Sequence, residues 1–117
     1  MTFQGDIWWA DFGVPIGSAP GFHRPVVIVQ GDDLNRSRVA TTICVPLTGT
    51  MKWACAPGNL VLRAAETGLD HDSVANVALL TVIDRGQLTE HVGRVNAAMM
   101  KRLFAGIDVV LGCRTAN

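Results

Sequence analysis

The 117-residue chain has few side chains suited to chemistry, and the most suggestive ones come as adjacent pairs. His23 precedes Arg24, an imidazole beside a planar guanidinium. The first could give or take a proton, and the second could grip a phosphate with its planar fork. Lys52 precedes Trp53, so an ammonium that meets phosphate sits beside a ring on which a base can stack. Each also has an ordinary structural reading. An Arg before Pro25 at the start of a β-rich run is a surface charge, Thr48 at the end of such a run is a β-former, and Trp53 suits a core equally well. Neighbours on a strand face opposite sides, which separates His23 from Arg24.

Other chemistries lack their residues. Cys44, Cys55 and Cys113 are odd in number, and no two have a CxxC spacing. His23, His71 and His91 are scattered, and the last two read as surface or turn residues. No zinc pattern, carboxylate pair or glycine-rich phosphate loop is present, so no metal and no cofactor are expected. Ten basic and ten acidic residues cancel, which excludes a histone-like coat but not a local basic site. Hydrophobic residues make up 49% against 17% charged, with mean hydropathy +0.28, which rules out disorder. So few charges also suggest apolar surface covered by a second copy of the chain. The longest near-apolar run, 74–83, is broken by Asn76 and Thr81 and is half the length of a membrane span. Asp6 and Asp11 interrupt the early apolar stretch where a signal peptide would lie. Unpaired cysteines fit a reducing compartment, so a cytoplasmic protein without membrane association is expected.

The elements that must position these residues are mostly strands. Strands are expected over 7–10, 25–30, 39–47, 59–63, 74–83 and 88–95, the fifth being the most buried because it is apolar on both faces. Pro46, near the end of the third, suits an edge or a rim. Trp8 and Trp9 point to opposite faces, one inside and one at an interface. Residues 13–21 hold three glycines and two prolines and form a long loop, and 48–57 form a second. Asp32 or Asp33 is positioned to cap a short helical turn. Met100, Leu103, Phe104, Ile107, Val110 and Leu111 recur at helical spacing, between a capping Asn96 and a terminating Gly112. The architecture expected is one domain over 1–117, a partly closed barrel of five to seven strands with a C-terminal helix.

Seven short patterns then appear in order. They are Gly5-Asp-Ile-Trp-Trp-Ala-Asp-Phe12, Gly17-Ser18, Arg24-Pro-Val-Val-Ile-Val29, Asn35-Arg36, Val45-Pro-Leu-Thr48, Gly68-Leu69 with Asp72-Ser-Val74, and Val92-Gly-Arg-Val95. In order and spacing, from residue 5 to about 111, the chain resembles the MazF/PemK/Kid toxins of bacterial toxin–antitoxin pairs. The resemblance implies an SH3-like barrel, a homodimer, and an endoribonuclease that cuts single-stranded RNA at short sequences. It also implies a cognate antitoxin, and the local basic set around Arg24 and Lys52 would attract an acidic antitoxin tail.

The family places an Arg at the start of the second strand and a Thr at the end of the third, here Arg24 and Thr48. Metal-free cleavage removes a proton from the ribose 2′-OH, stabilises a phosphorane and protonates the 5′-oxygen. Arg24 suits the stabiliser's role and, staying charged, is a poor base. Thr48 donates or accepts a hydrogen bond at the phosphate. RNA contacts are expected from Ser18, His23, Lys52 and Trp53. The chain also departs from the family. A polar Cys-Asp-Gln-x-Arg-Thr element of some members is replaced by Val77, Ala78, Leu79, Thr81 and Val82, and a loop histidine of one branch by Ser18. That leaves the two-residue version of the mechanism, and Gly49 after Thr48, where Ser is common, implies a different base preference. The rival is a CcdB-like toxin of the same fold that binds DNA gyrase and cuts nothing.

Overall fold

The computed structural model describes residues 1–14, 16–18 and 21–113. Its strands are β1 (Asp6–Asp11), β2 (His23–Ile28), β3 (Thr41–Thr48), β4 (Leu60–Leu62), β5 (Ser73–Ala75), β6 (Thr81–Asp84) and β7 (Leu88–Arg94). Three helices accompany them, α1 (Asp32–Asn35), α2 (Ala64–Thr67) and α3 (Ala97–Leu111). The sheet runs β4-β5-β3-β2-β1-β7 with antiparallel neighbours. Register shifts between β1 and β7 at Ile7/Trp8 and Trp9/Ala10 accompany its curl. Its two ends approach through α2: a Cβ on Gly93 would lie 2.5 Å from the Thr67 carbonyl oxygen, so only glycine lets β7 come that near. The result is the expected mainly β, SH3-like, partly closed barrel with a C-terminal helix.

The strand period of two divides the apolar residues between two clusters. Ile7, Val27, Val45, Leu47 and Leu62 fill the barrel interior with Met100 and Leu103 of α3. Val26 and Ile28 point the other way, with Ala10, Cys44 and Ile83. Of the expected fifth strand only the first part, β5, is buried on both faces; β6 is exposed at Val82 and Asp84, and the second halves of β2 and β3 are buried on both faces as well. Trp8 packs on this second cluster, its ring edge-on to His91 at 5.3 Å. α3 begins and ends as its sequence predicts, Asn96 accepting from the Met99 N–H at 2.9 Å and Gly112 turning left-handed at φ 69.

The expected fifth strand, 74–83, is interrupted. β5 pairs Ala75 with Leu47, and β6 pairs Thr81 with Cys44 on the same side of β3. More residues separate 75 from 81 than separate 47 from 44, and the surplus winds into a 3₁₀ turn, Val77–Leu79. Ala78 and Val82 are exposed as a result. This seam also explains Pro46, which is not at an edge. Its carbonyl accepts from the Asn76 N–H at 3.0 Å, so its ring nitrogen faces the same gap, where no ladder bond is needed.

Neither Asp32 nor Asp33 caps α1. Gly31 stands at that position with no side-chain bond. The Asp32 carboxylate instead accepts from the Gln4 backbone N–H at 2.7 Å and from Asn35 Nδ2 at 3.1 Å. These bonds, the Gln4 one foremost, hold its pKa below the ordinary 3.8. Buried Asn35 also donates to the Gln30 carbonyl and accepts from Gln30 Nε2 and Thr42 Oγ1, tying α1 to the sheet. No helix among the described residues is long and apolar enough to cross a membrane.

Candidate active site

β2 and β3 bring Arg24 and Thr48 together. Val26 lies across from Pro46, and continuing that register by two residues sets Arg24 opposite Thr48 on the same sheet face. The Arg24 Nε donates to the Gly21 carbonyl at 3.1 Å, which anchors the guanidinium by its inner nitrogen. Its Nη nitrogens make no hydrogen bond or ion pair among the described residues. The Thr48 Oγ1 accepts from the Thr50 N–H at 3.1 Å, leaving the hydroxyl proton to donate elsewhere. Two open clefts flank this ridge, and both residues line each of them.

The first cleft, about 640 Å³, is walled by Ser18, Trp53, Asn76 and Ala78. Trp53 lies on a 3₁₀ turn, Met51–Cys55, and is 46% exposed, so it is a wall of the cleft and not a core residue. The Lys52 ammonium stands 5.2 Å from its ring centroid, a cation–π contact on the indole face. Asn59 ties the two turns of this wall together: its Nδ2 donates to the Trp53 carbonyl at 2.9 Å, and its Oδ1 accepts from the Val77 N–H at 3.0 Å. The loop behind them rests on α3 through two glycines, since a Cβ on Gly106 would lie 2.1 Å from the Gly58 carbonyl oxygen.

The second cleft, about 610 Å³, is lined by Trp9, Phe22, His23, Asp70 and His71. His23 faces away from Arg24 as strand alternation requires. Its ring lies 5.5 Å from that of Trp9, and its Nε2 is bonded to Thr89 Oγ1 at 2.7 Å. Trp9 is thus a cleft wall. His91 lines neither cleft, while His71 reaches the second.

Of the residues singled out in the sequence, Arg24, Thr48, Ser18 and Trp53 share the first cleft, His23 joins Arg24 and Thr48 in the second, and Lys52 covers the Trp53 ring. Sequence reasoning missed Asn59, Asn76 and Phe22. The two asparagines carried a faint signal, being polar residues inside otherwise apolar runs. Cys44 is no nucleophile here, because burial pushes its thiol up to about 12.

Several of the short sequence patterns hold the frame and not the site. Asp6, almost fully buried, accepts from the Phe3 N–H at 2.8 Å and from Arg94 Nε at 3.0 Å. Asp72 accepts from the Ala64 N–H at 2.8 Å at the start of α2, and Gly68 ends α2 at φ 85.

The family model for PemK-like, MazF-like toxins of type II toxin–antitoxin systems matches residues 3–111. The chain is 41% identical over 108 residues to Endoribonuclease MazF6 of Mycobacterium tuberculosis (strain ATCC 25618 / H37Rv), covering 92% of this chain and 95% of that one. Its fold matches that of an endoribonuclease from Mycobacterial species solved in complex with its cognate antitoxin, at TM-score 0.79 and 20% identity, covering 99% of this chain and all of the other. MazF from Deinococcus radiodurans (Form-I) matches with TM-score 0.79 and 20% identity, over 95% of this chain and 96% of that one. The chain, with its curled antiparallel sheet and its Arg24–Thr48 ridge, therefore belongs to the PemK-like, MazF-like toxin family.

Proposed function

We propose that this chain is a sequence-specific endoribonuclease toxin that cuts single-stranded RNA, messenger RNA included, without a metal, leaving a 2′,3′-cyclic phosphate and a 5′-OH. The observation that carries the reading is the placement of Arg24 across from Thr48 on a ridge between two open clefts. RNA laid over the ridge has its scissile phosphate at the pair and a flanking base on each side. The ribose 2′-oxygen bonds to phosphorus as the bond to the 5′-oxygen breaks; a proton leaves the first oxygen and another reaches the second. Arg24 meets the charge of the phosphorane through its free Nη nitrogens, and Thr48 donates to a non-bridging oxygen. Trp53 stacks a base, Lys52 meets a phosphate, and Ser18 and His23 contact the strand from either side. The Mycobacterium tuberculosis relative and the antitoxin-bound neighbour are both named as endoribonucleases, which favours this reading over a gyrase-binding toxin.

The reading extends to partners. Val109, Leu111 and Val82 are apolar and exposed, which supports a two-fold homodimer, and sedimentation should give about 25 kDa, twice the 12.5 kDa chain mass. An acidic antitoxin tail laid over the ridge competes with RNA, and its binding weakens with salt. Such a toxin acts in the cytoplasm, where messenger RNA is. The direct test is cleavage of single-stranded RNA in EDTA. Cutting should persist there and stop when the 2′-OH at the cut is replaced by hydrogen. A requirement for magnesium, or cleavage of the 2′-deoxy substrate, contradicts the mechanism.

A further inference from the structure

We infer that Phe22 is a substrate-positioning residue on which an unpaired RNA base beside the scissile phosphate stacks, within the cleft it shares with Trp9 and His23. The inference rests on the endoribonuclease reading and adds to it a residue and a base subsite.

Phe22 is the one non-glycine residue with positive φ among the described residues, at 59°. A bulky side chain in that left-handed region is strained, and strain of this kind persists where the surroundings enforce it. They do so here. The Phe22 N–H donates to the Gly13 carbonyl at 2.5 Å, and its carbonyl accepts from the Phe12 N–H at 2.8 Å, prolonging the β1–β2 hairpin by one step. Core packing does not account for the residue, since 62% of it is exposed. A doubly hydrogen-bonded backbone thus holds an aromatic face in water, two residues from Arg24.

The surroundings suit a base. Trp9 and His23 form a fixed aromatic wall, with His23 pinned by Thr89, and Phe22 stands on the same cleft. The cleft volume of about 610 Å³ lies in the range of small-ligand sites. Asp70 and Ser73 line the same cleft and offer polar groups to a base edge. Arg24 and Thr48 line it as well, so a base stacked there belongs to a nucleotide next to the phosphate they hold. An aromatic face takes any base, and one base beside an aromatic ring gains on the order of tenfold or more in binding.

The test starts with wild-type protein and a random-sequence single-stranded RNA pool, whose cut sites are mapped from the new 5′-OH ends. An oligonucleotide carrying the mapped site then serves as substrate for Phe22→Gly and Phe22→Tyr. Glycine accepts the backbone angle, so Phe22→Gly should melt no lower than wild type. On the intact oligonucleotide it should lose about tenfold in kcat/KM. Phe22→Tyr keeps the ring and should stay within about twofold of wild type. Placing a single abasic residue at one position beside the cut should erase the difference between wild type and Phe22→Gly, which loss of folding would not do. The inference is overturned if Phe22→Gly cuts the intact oligonucleotide at the wild-type rate, or if its deficit survives every abasic substitution. If the wild-type protein leaves the RNA pool uncut, the endoribonuclease reading itself fails. If wild type and Phe22→Gly cut alike, only the stacking role fails.

Discussion

The two halves of the ridge-and-cleft site are built differently. Arg24 and Thr48 lie on neighbouring strands whose register is set by residues buried on both faces of the sheet, Val26 and Val27 against Val45 and Pro46. A slip of one residue would send every one of those side chains to the wrong face, so the pair is held as firmly as the core. Trp53 and Ala78 lie instead on two short 3₁₀ turns, and Asn76 at the start of the second is where the last backbone bond to β3 before that turn is made. Asn59 and the Gly58–Gly106 approach hold them. On the proposed mechanism, the part that would stabilise charge is sheet-built, and the part that would meet bases is turn-built.

The largest expected effect tests the sheet-built half. Arg24→Ala should lower the cleavage rate a hundredfold or more, about 3 kcal/mol of barrier, with the melting temperature unchanged because the side chain is exposed. Arg24→Lys should recover only part, lacking the bidentate fork. Near-normal cleavage by folded Arg24→Ala would remove this residue from the mechanism and leave the comparison without its first member.

Gly106→Ala should come next, acting on stability. The new Cβ meets the Gly58 carbonyl at 2.1 Å, and neither backbone can yield without lifting α3 from the loop. We expect a loss of about 1–3 kcal/mol in denaturant unfolding, with a shift in Trp53 fluorescence as the turn moves. An unchanged midpoint would mean that the loop does not rest on the helix.

Asn59→Ala sharpens the contrast most directly. It removes both bonds that join the two turns, a stability loss of roughly 1–2 kcal/mol. If the turn-built half serves binding, KM should rise with kcat little changed. A fall in kcat as deep as that of Arg24→Ala would show that the two halves do not divide the labour.

The smallest effect lies in the frame that carries β2. The Asp32 pKa is lowered in the folded chain, chiefly by the Gln4 N–H. Its contribution to stability is therefore complete above the ordinary value of 3.8 and is lost as pH falls through the lower folded value. Asp32→Asn should flatten the acid limb of the stability profile in that window and leave the cleavage rate per folded molecule unchanged. An acid limb as steep as that of wild type would exclude Asp32 as a source of the dependence.

The sequence by itself determined the frame, because the frame is made by local rules. The unbroken β-branched run Val26-Val-Ile28 makes β2, and helical spacing between Asn96 and Gly112 makes α3. Arg24 and Thr48 were legible only through the resemblance, since the residue types alone read as a surface charge and a β-former. Only the tertiary structure decided how the apolar run 74–83 divides. Its pairing with β3 leaves surplus residues that must leave the sheet, and no pattern within the run shows where its partner ends. Phe22 depended on the fold in the same way. Its side chain would suit a core, but two backbone bonds, to Phe12 and Gly13 just after β1, hold it left-handed in the solvent beside Arg24. Burial and register are properties of residue pairs distant in the chain, so they are settled when the sheet closes and not before.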